Sequence, residues 1–266
     1  MSDLGLYAQG HYRFSQTLAA TLGLRAYRTT QDAANAFWRT NAQFVPTQQV
    51  YDAPALHTRA SGVLPRLGLD WTVSPSVFAY ASVAQGEKFA GFNRAAESLN
   101  SARVAAQPEK VTTYEIGAKL NAAPQRLRAS VAAFYNDYKD YLVSLNGATI
   151  NGVLVTDSVF LNTGKARTYG MDLEAEQGLS RGISLTGSIE WLSTKFLDFA
   201  NPSGAAASDF TGHRLPNAPR WSAAFGVKGR FGAPGGSVTG DAWVQYVDPQ
   251  FIDVANTAAL QVPSQT

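Results

Sequence analysis

The sequence has no cysteine among its 266 residues. No disulfide framework and no thiolate metal site can be built from it. Charge is also scarce. Asp, Glu, Lys and Arg make up 16% of the chain, against roughly 25% in soluble domains. The net charge of +2 is small and the Lys and Arg residues are dispersed, which excludes the electrostatic footprint of a nucleic-acid binder. No run approaches the ~18 consecutive apolar residues of a transmembrane helix, and the mean hydropathy is −0.14. His11, His57 and His213 lie far apart without metal-ligand spacing. They are expected to be polar lumen or loop residues, and no metal or cofactor is expected. Met1, Ser2, Asp3 and Leu4 lead directly into a strand pattern, so no signal peptide is expected at this end.

What the chain does have is aromatic residues (11%), 23 glycines and 45% hydrophobic residues. Low charge with neutral hydropathy suits a β-barrel whose two faces cancel in any average. Residues 110–143 set the pattern. Thr112, Tyr114, Ile116, Ala118 and Leu120 alternate with Thr113, Glu115, Gly117 and Lys119, the period-2 signature of a strand. Residues 121–125, with Pro124, supply a turn. Leu127, Ala129, Val131, Ala133 and Tyr135 then return opposite Arg128 and Ser130, with a break expected at residues 132–134. Each run is about twice the usual ~5–6 residues of a strand.

The same alternation recurs along the whole chain. About ten strands are expected, at residues 4–14, 18–28, 63–73, 77–89, the pair in 110–143, 160–177, 183–191, 221–231 and 238–246. Short turns alternate with long polar segments, expected as loops at 29–58, 91–109, 146–157 and 200–213. Loops longer than ~12–15 residues are uncommon in one compact soluble domain. An outer-membrane barrel has this asymmetry, with short periplasmic turns and long outer loops. Trp221 and Phe231 would stand at the two ends of one strand, about 25 Å apart along the barrel axis, the height of the apolar band. Phe14 and Trp71 would mark the turn end, and Tyr246 and Trp191 the loop end. Leu185, Ile189, Ala223, Phe225, Val227, Ala242 and Val244 are expected to face lipid. Glu174, Glu190, Lys228 and Asp241 are expected to face the lumen. The pattern leaves the faces of residues 77–89 open, because Phe78 and Tyr80 oppose Val77, Ala79 and Ala81. A large soluble β-sandwich is the alternative, but it would need a partner layer that polar loops cannot supply. By strand direction both ends of the chain would lie on the loop side, which suggests a segment from the middle of a larger barrel.

A family resemblance rests on a set of short motifs. Gly86 to Asn93 reads GEKFAGFN, and Pro108-Glu109 and Tyr114 to Lys119 (YEIGAK) follow. Ala133 to Asp140 (AFYNDYKD), Asn162 to Ala166 (NTGKA), Tyr169 to Glu174 (YGMDLE) and Leu215 to Pro219 (LPNAP) complete it. In order and spacing, over residues 59–247, these resemble the barrel of TonB-dependent outer-membrane receptors. Glu87 stands where the family has an aromatic, and Phe89-Ala90 where it has Ser-Gly. The resemblance implies an antiparallel up-and-down barrel of 22 strands around a plug, of which this chain would supply about the tenth to nineteenth. The plug, the TonB box and the closing strands would lie outside these residues. It further implies active import of a scarce ligand such as a ferric siderophore, driven through the TonB complex by way of the plug, in the bacterial outer membrane and in contact with its lipid.

Candidate binding residues follow from chemistry. Trp38, Arg39, Phe89, Phe92, Asn93 and Arg94 sit in or beside outer loops, and aromatics with arginine suit capture of an anionic, ring-bearing chelate. Asp172, Glu174 and Glu176 alternate along one face, as a cation site or, as expected here, as lumen lining. Tyr135, Tyr138 and Tyr141 could stack a ligand, but placement in a girdle or at the rim is expected. Asp209 near His213 admits an acid–base pair. A ten-stranded barrel enzyme is therefore one alternative and a passive porin or channel segment the other. No catalytic residue is assigned.

Overall fold

The computed structural model describes residues 1–266 except 90, 94–95, 124–125, 151 and 200–208. Its strands in chain order are β1 (Ser2–Arg13), β2 (Leu18–Thr40), β3 (Pro46–Ser74), β4 (Val77–Lys88), β5 (Gly91–Phe92), β6 (Ala105–Ala106), β7 (Glu109–Ala122), β8 (Leu127–Lys139), β9 (Leu142–Ile150), β10 (Val153–Asn162), β11 (Gly164–Gly178), β12 (Ile183–Phe199), β13 (Trp221–Ala233), β14 (Gly236–Val247), β15 (Gln250–Phe251) and β16 (Gln261–Val262). One short helix, α1 (Leu99–Ala102), lies between β5 and β6.

Ten of these strands form one antiparallel sheet in the order β1-β2-β3-β4-β7-β8-β11-β12-β13-β14. Each strand pairs with the next member of the sheet, the up-and-down topology that the alternation predicts. The sheet is open, with β1 and β14 at its edges. The register sorts side chains onto two faces. Leu185, Val227 and Ala242 are direct partners, as are Ile189 and Ala223, and Phe225 and Val244. On the opposite face Asp172 pairs with Glu190, and Lys228 with Ser184 and Asp241. The same register resolves β4. Ala79, Ala81 and Val83 pair with Ala118, Ile116 and Tyr114, so Phe78 and Tyr80 share the polar face with Lys119 and Glu115. The break expected in β8 is not found, because its pairing with both neighbours runs without a register shift.

The buried apolar residues lie at the long-loop end, on the outer extensions of β3, β11 and β12 and in the segments that pack on them. Val143, Ala166, Phe196, Phe199, Leu215 and Ala218 form one cluster, and Tyr51, Ala53, Leu56, Ala96 and Ala102 another. By contrast Leu6, Leu22, Ile116, Leu173, Phe225 and Val244 are exposed on the sheet. An apolar face this broad is stable only against lipid.

Several expected loops are built of strand. Residues 29–58 continue β2 and β3 as a hairpin of 23- and 29-residue strands. Residues 146–157 fall largely in the β9–β10 hairpin. Phe160 to Asn162 also belong to that hairpin, paired with Ser144, Val143 and Leu142, and β11 begins only at Gly164, where φ is +121. The polar tail expected from Asp248 onward contains the short β15–β16 pair. The expected turn residues Pro124 and Gln125 lie outside the described residues.

Candidate functional site

An aromatic row crosses the apolar face near the loop end. Tyr114 and Tyr135 are 6.4 Å apart, Tyr135 and Tyr169 6.4 Å, Tyr169 and Trp191 5.7 Å, and Trp191 and Trp221 6.4 Å, between ring centroids. Three of these contacts join direct register partners. Tyr169 pairs with Ser193, so Trp191 meets it diagonally, and that one step keeps the row level across tilted strands. Ring edges and hydroxyls suit the headgroup layer, so the row marks one membrane interface. Tyr12 and Phe14, 4.9 Å apart, stand with Trp71 and Phe231 toward the other. Tyr138 and Tyr141 are not in the row. They pack on the Phe196 cluster.

The opposite face is polar and would line the lumen. Tyr80 donates to Glu115 (2.6 Å), and Lys119 Nζ stands 5.9 Å from the Tyr80 ring centre. A trough of about 580 Å³ runs across this wall past Lys119, Arg128, Ser130, Glu174, Glu176 and Trp243. Asp172, Glu174 and Glu176 all lie on this polar wall, pairing with Glu190, Ser188 and Thr186, and Glu174 and Glu176 line the trough. Among the described residues no three His, Asp or Glu side chains group closely enough to share a metal ion.

Beyond the aromatic row the loops are tied to one another. Asn93 is buried; its amide donates to the Ser158 carbonyl (2.6 Å), and its own carbonyl accepts from Asn35 (3.0 Å). Asp157 accepts from the Glu97 N–H (2.6 Å), from Ser98 Oγ (3.3 Å) and from Ser101 Oγ. Burial would raise the Asp157 pKa, but the hydrogen bonds from Ser101, Glu97, its own N–H and Ser98 outweigh burial and hold it below the usual carboxylate range. Tyr51 donates to the Ala96 carbonyl (2.8 Å), and burial followed by the charge of Asp157 raises its pKa. Asn162 closes a further tie, accepting from Gln107 N–H (2.7 Å) and donating to the Gln107 carbonyl (2.9 Å). On the other side a chain of rings runs Tyr138, Tyr141, Phe196, Phe199, Phe210 and His213, with neighbouring centroids 5.0–5.6 Å apart. Burial, then the charge of Glu109, pushes the Tyr141 hydroxyl up to about 12.

The residues singled out from sequence fall in different places here. Phe92 and Asn93 line a cleft of about 280 Å³ with Gln31, Asp32, Asn35 and Leu56. Asp32 is engaged by His57 Nδ1 at 2.6 Å. Phe89 is half-buried beside Gly91. Trp38 and Arg39 stand near the tip of the β2–β3 hairpin, paired with Gln49 and Gln48, and Trp38 is exposed. Arg94 lies outside the described residues. Asp209 accepts from the Thr211 N–H (2.9 Å) and His213 Nδ1 lies 3.2 Å from the Val254 carbonyl, each with its own partner. Sequence reasoning missed the Asp157 ties and the Phe196 cluster. The one available signal was the Ser98-x-x-Ser101 spacing, which forms a capping box at α1.

Residues 1–266 match the family described as TonB dependent receptor-like, beta-barrel. The chain belongs to the TonB-dependent receptor family. A curated relative, the metal-pseudopaline receptor CntO of Pseudomonas aeruginosa, is 27% identical over 219 residues, 82% of this chain and 27% of CntO. Among solved structures, the ferric yersiniabactin uptake receptor FyuA of Yersinia pestis superposes with a TM-score of 0.74 at 22% identity, over 99% of this chain and 36% of FyuA. The siderophore receptor PiuA of Acinetobacter baumannii gives 0.71 at 20% identity, over 99% and 35%. The chain thus spans roughly a quarter to a third of the proteins it matches. As a TonB-dependent receptor barrel it is an outer-membrane protein of a receptor family and not an enzyme.

Proposed function

We propose that this barrel segment serves a receptor that captures a scarce metal chelate, such as a ferric siderophore, outside the cell and imports it with energy delivered through TonB. The observation that carries the reading is the packed loop end. Buried residues and inter-loop hydrogen bonds hold the outer hairpins in place, so their exposed side chains form a preorganised capture surface. A purely passive pore has no need of such ordering. Trp38 and Arg39 supply a ring face and a fixed positive charge at the hairpin tip, matched to a planar or carboxylate-bearing chelate. Phe89, Phe92, Asn93 and Arg94 are further candidates, of which Phe92 and Asn93 line the separate cleft beside β2. CntO and FyuA, receptors for metal-pseudopaline and ferric yersiniabactin, support the ligand class. The plug domain and the remaining strands are supplied by residues beyond these 266.

The test is uptake of a panel of labelled ferric chelates by iron-limited, receptor-deficient cells carrying the complete receptor gene, with and without functional TonB. Saturable, TonB-dependent uptake of one chelate is expected, weakened by Trp38→Ala with Arg39→Ala. Uptake unchanged by loss of TonB would support a passive channel instead.

A further inference from the structure

We propose that the seam between β3 and β4 is a side entrance to the lumen at the height of the membrane interface, and that it admits ferric chelates carrying an acyl chain. This rests on the chelate-import reading and names a ligand class within it. The ladder between the two strands ends at Arg66 and Ala84. Both strands run on, but with other partners. β3 continues against β2 as far as Pro46, and β4 continues against β7 as far as Lys88. The next residue of β3 beyond the last pair is Pro65, which has no N–H with which to extend the ladder. Tyr114 of the aromatic row, Val83 and Leu67 stand on one register line. The seam therefore parts one position beyond the line that marks the interface.

Side chains close the seam where the backbone does not. Tyr27 on β2 lies across Gly62 on β3, its hydroxyl 2.8 Å from where a Cβ would stand, and donates to Glu87 on β4. One phenol thus latches three strands. Gly91, at φ +72, brings the chain back against β2, where the Phe92 N–H donates to the Gln31 side-chain oxygen (3.4 Å). By alternation Gln31 shares a face with Tyr27, so residues 91–93 roof the seam from the lumen side. One side-chain hydrogen bond holds less than the run of ladder bonds it replaces, so the wall parts first along this line. The two sides of the seam differ in chemistry. Val63, Pro65 and Leu67 are exposed on the outward face and continue the lipid-facing surface. Arg66, on the opposite face, is exposed and makes no ion pair; the ion pairs among the described residues are Arg25–Asp3 and His57–Asp32. Apolar residues outside and an unpaired arginine inside suit an amphiphile whose chain lies in the leaflet and whose anionic head passes inward.

The test uses the complete receptor gene in iron-limited, receptor-deficient cells, with any cysteine outside these residues replaced by serine. The panel of ferric chelates is supplied with and without a palmitoyl chain. Pro65→Cys with Gln85→Cys joins the strands across the seam on oxidation. Leu69→Cys with Ala81→Cys, direct partners in the ladder, is the control. For a chelate that the parent imports, the oxidised seam pair should lose uptake of the palmitoyl form and keep that of the plain form, and reductant should restore the loss. The control pair should import both forms in either redox state. Tyr27→Phe with Glu87→Gln removes the latch, and should widen the distance between spin labels at residues 65 and 85 but not between labels at 69 and 81. Equal uptake of the palmitoyl form by the parent and the oxidised seam pair would overturn the proposal and leave the import reading intact. So would a parent that imports the plain form alone, or labels at 65 and 85 that stay fixed without the latch. Absence of TonB-dependent uptake of either form would overturn the import reading, and this proposal with it.

Discussion

Tyr80 on β4 reaches across to Glu115 on β7, donating its phenolic hydrogen over 2.6 Å. The ring can lie there because Gly117, its direct partner in the pairing, has no side chain. A Cβ at Gly117 would stand 2.6 Å from three atoms of the Tyr80 ring and hydroxyl. Phe134 covers Gly170 in the same way, with a ring atom 2.8 Å from where that Cβ would be. Such aromatic cover over glycine pins register on a wall that has no packed core behind it. Gly117→Val should therefore eject the Tyr80 ring and lower the thermal midpoint of the heat-modifiable receptor on gels. Tyr80→Phe should cost less, about 0.5–1.5 kcal/mol for one hydrogen bond. A Gly117→Val barrel as stable as the parent would mean that the ring is not held.

The two faces of the sheet should respond differently to charge. Phe225 is exposed on the apolar face beside Val244. Phe225→Arg places a cation against hydrocarbon, at about 2–4 kcal/mol near the bilayer midplane. Lys228, three positions on and on the other face, should tolerate Ala. Folding titrations of the complete barrel into lipid vesicles would compare them, and similar losses for both would argue against the face assignment.

Much of this was legible in the sequence, and the parts that were not have a common cause. Within the membrane one face meets hydrocarbon and the other water, so alternation betrays each strand, as in residues 112–120 or 221–231. Past the aromatic row both faces are wet, and the amphipathic signal disappears although the pairing does not. Residues 29–58 therefore read as a polar loop while β2 and β3 run through them. The lumen-facing aromatics Phe78 and Tyr80 left the faces of their strand open for the opposite reason. Rings on the wet side cover glycine and hydrogen-bond to acids, and only the register reveals their face. The Asp157 ties join residues about 60 positions apart, a separation that no local pattern encodes. The candidate residues Phe92 and Asn93 gave a signal through motif and not through periodicity.

Acid should loosen the loop end. The Asp157 carboxyl is held below its ordinary range by the donors of Ser98, Ser101 and Glu97. A lowered pKa in the folded state means that its stabilisation is complete above the unfolded value, about 3.9 for Asp. It is lost as pH falls through the lower folded value. Amide exchange of residues 97–107 should therefore quicken on acidification below that range while strand amides of β7 and β8 stay protected. Asp157→Asn should bring the faster exchange to neutral pH. Protection unchanged in Asp157→Asn would show that the tie contributes nothing.

Residues 1–266 should not work by themselves. In the ten-stranded sheet β1 pairs only with β2, and β14 only with β13 among the sheet strands. Each edge leaves a row of backbone N–H and C=O groups without a strand partner. In hydrocarbon an unsatisfied group of this kind costs several kcal/mol, so an open edge is not tolerated within a bilayer. Water is no refuge, because Leu4, Leu6, Tyr12, Val238, Trp243 and Val244 near those edges are all exposed. Apolar side chains beside free edges template association with other chains. The chain expressed alone with a secretion signal should therefore aggregate, and should give neither a heat-modifiable monomer in the outer membrane nor chelate uptake. Supplying the flanking residues in the same polypeptide should restore both. A stable, heat-modifiable monomer of these residues alone would require β1 and β14 to pair with each other, closing a ten-stranded barrel, and would refute the larger-barrel reading.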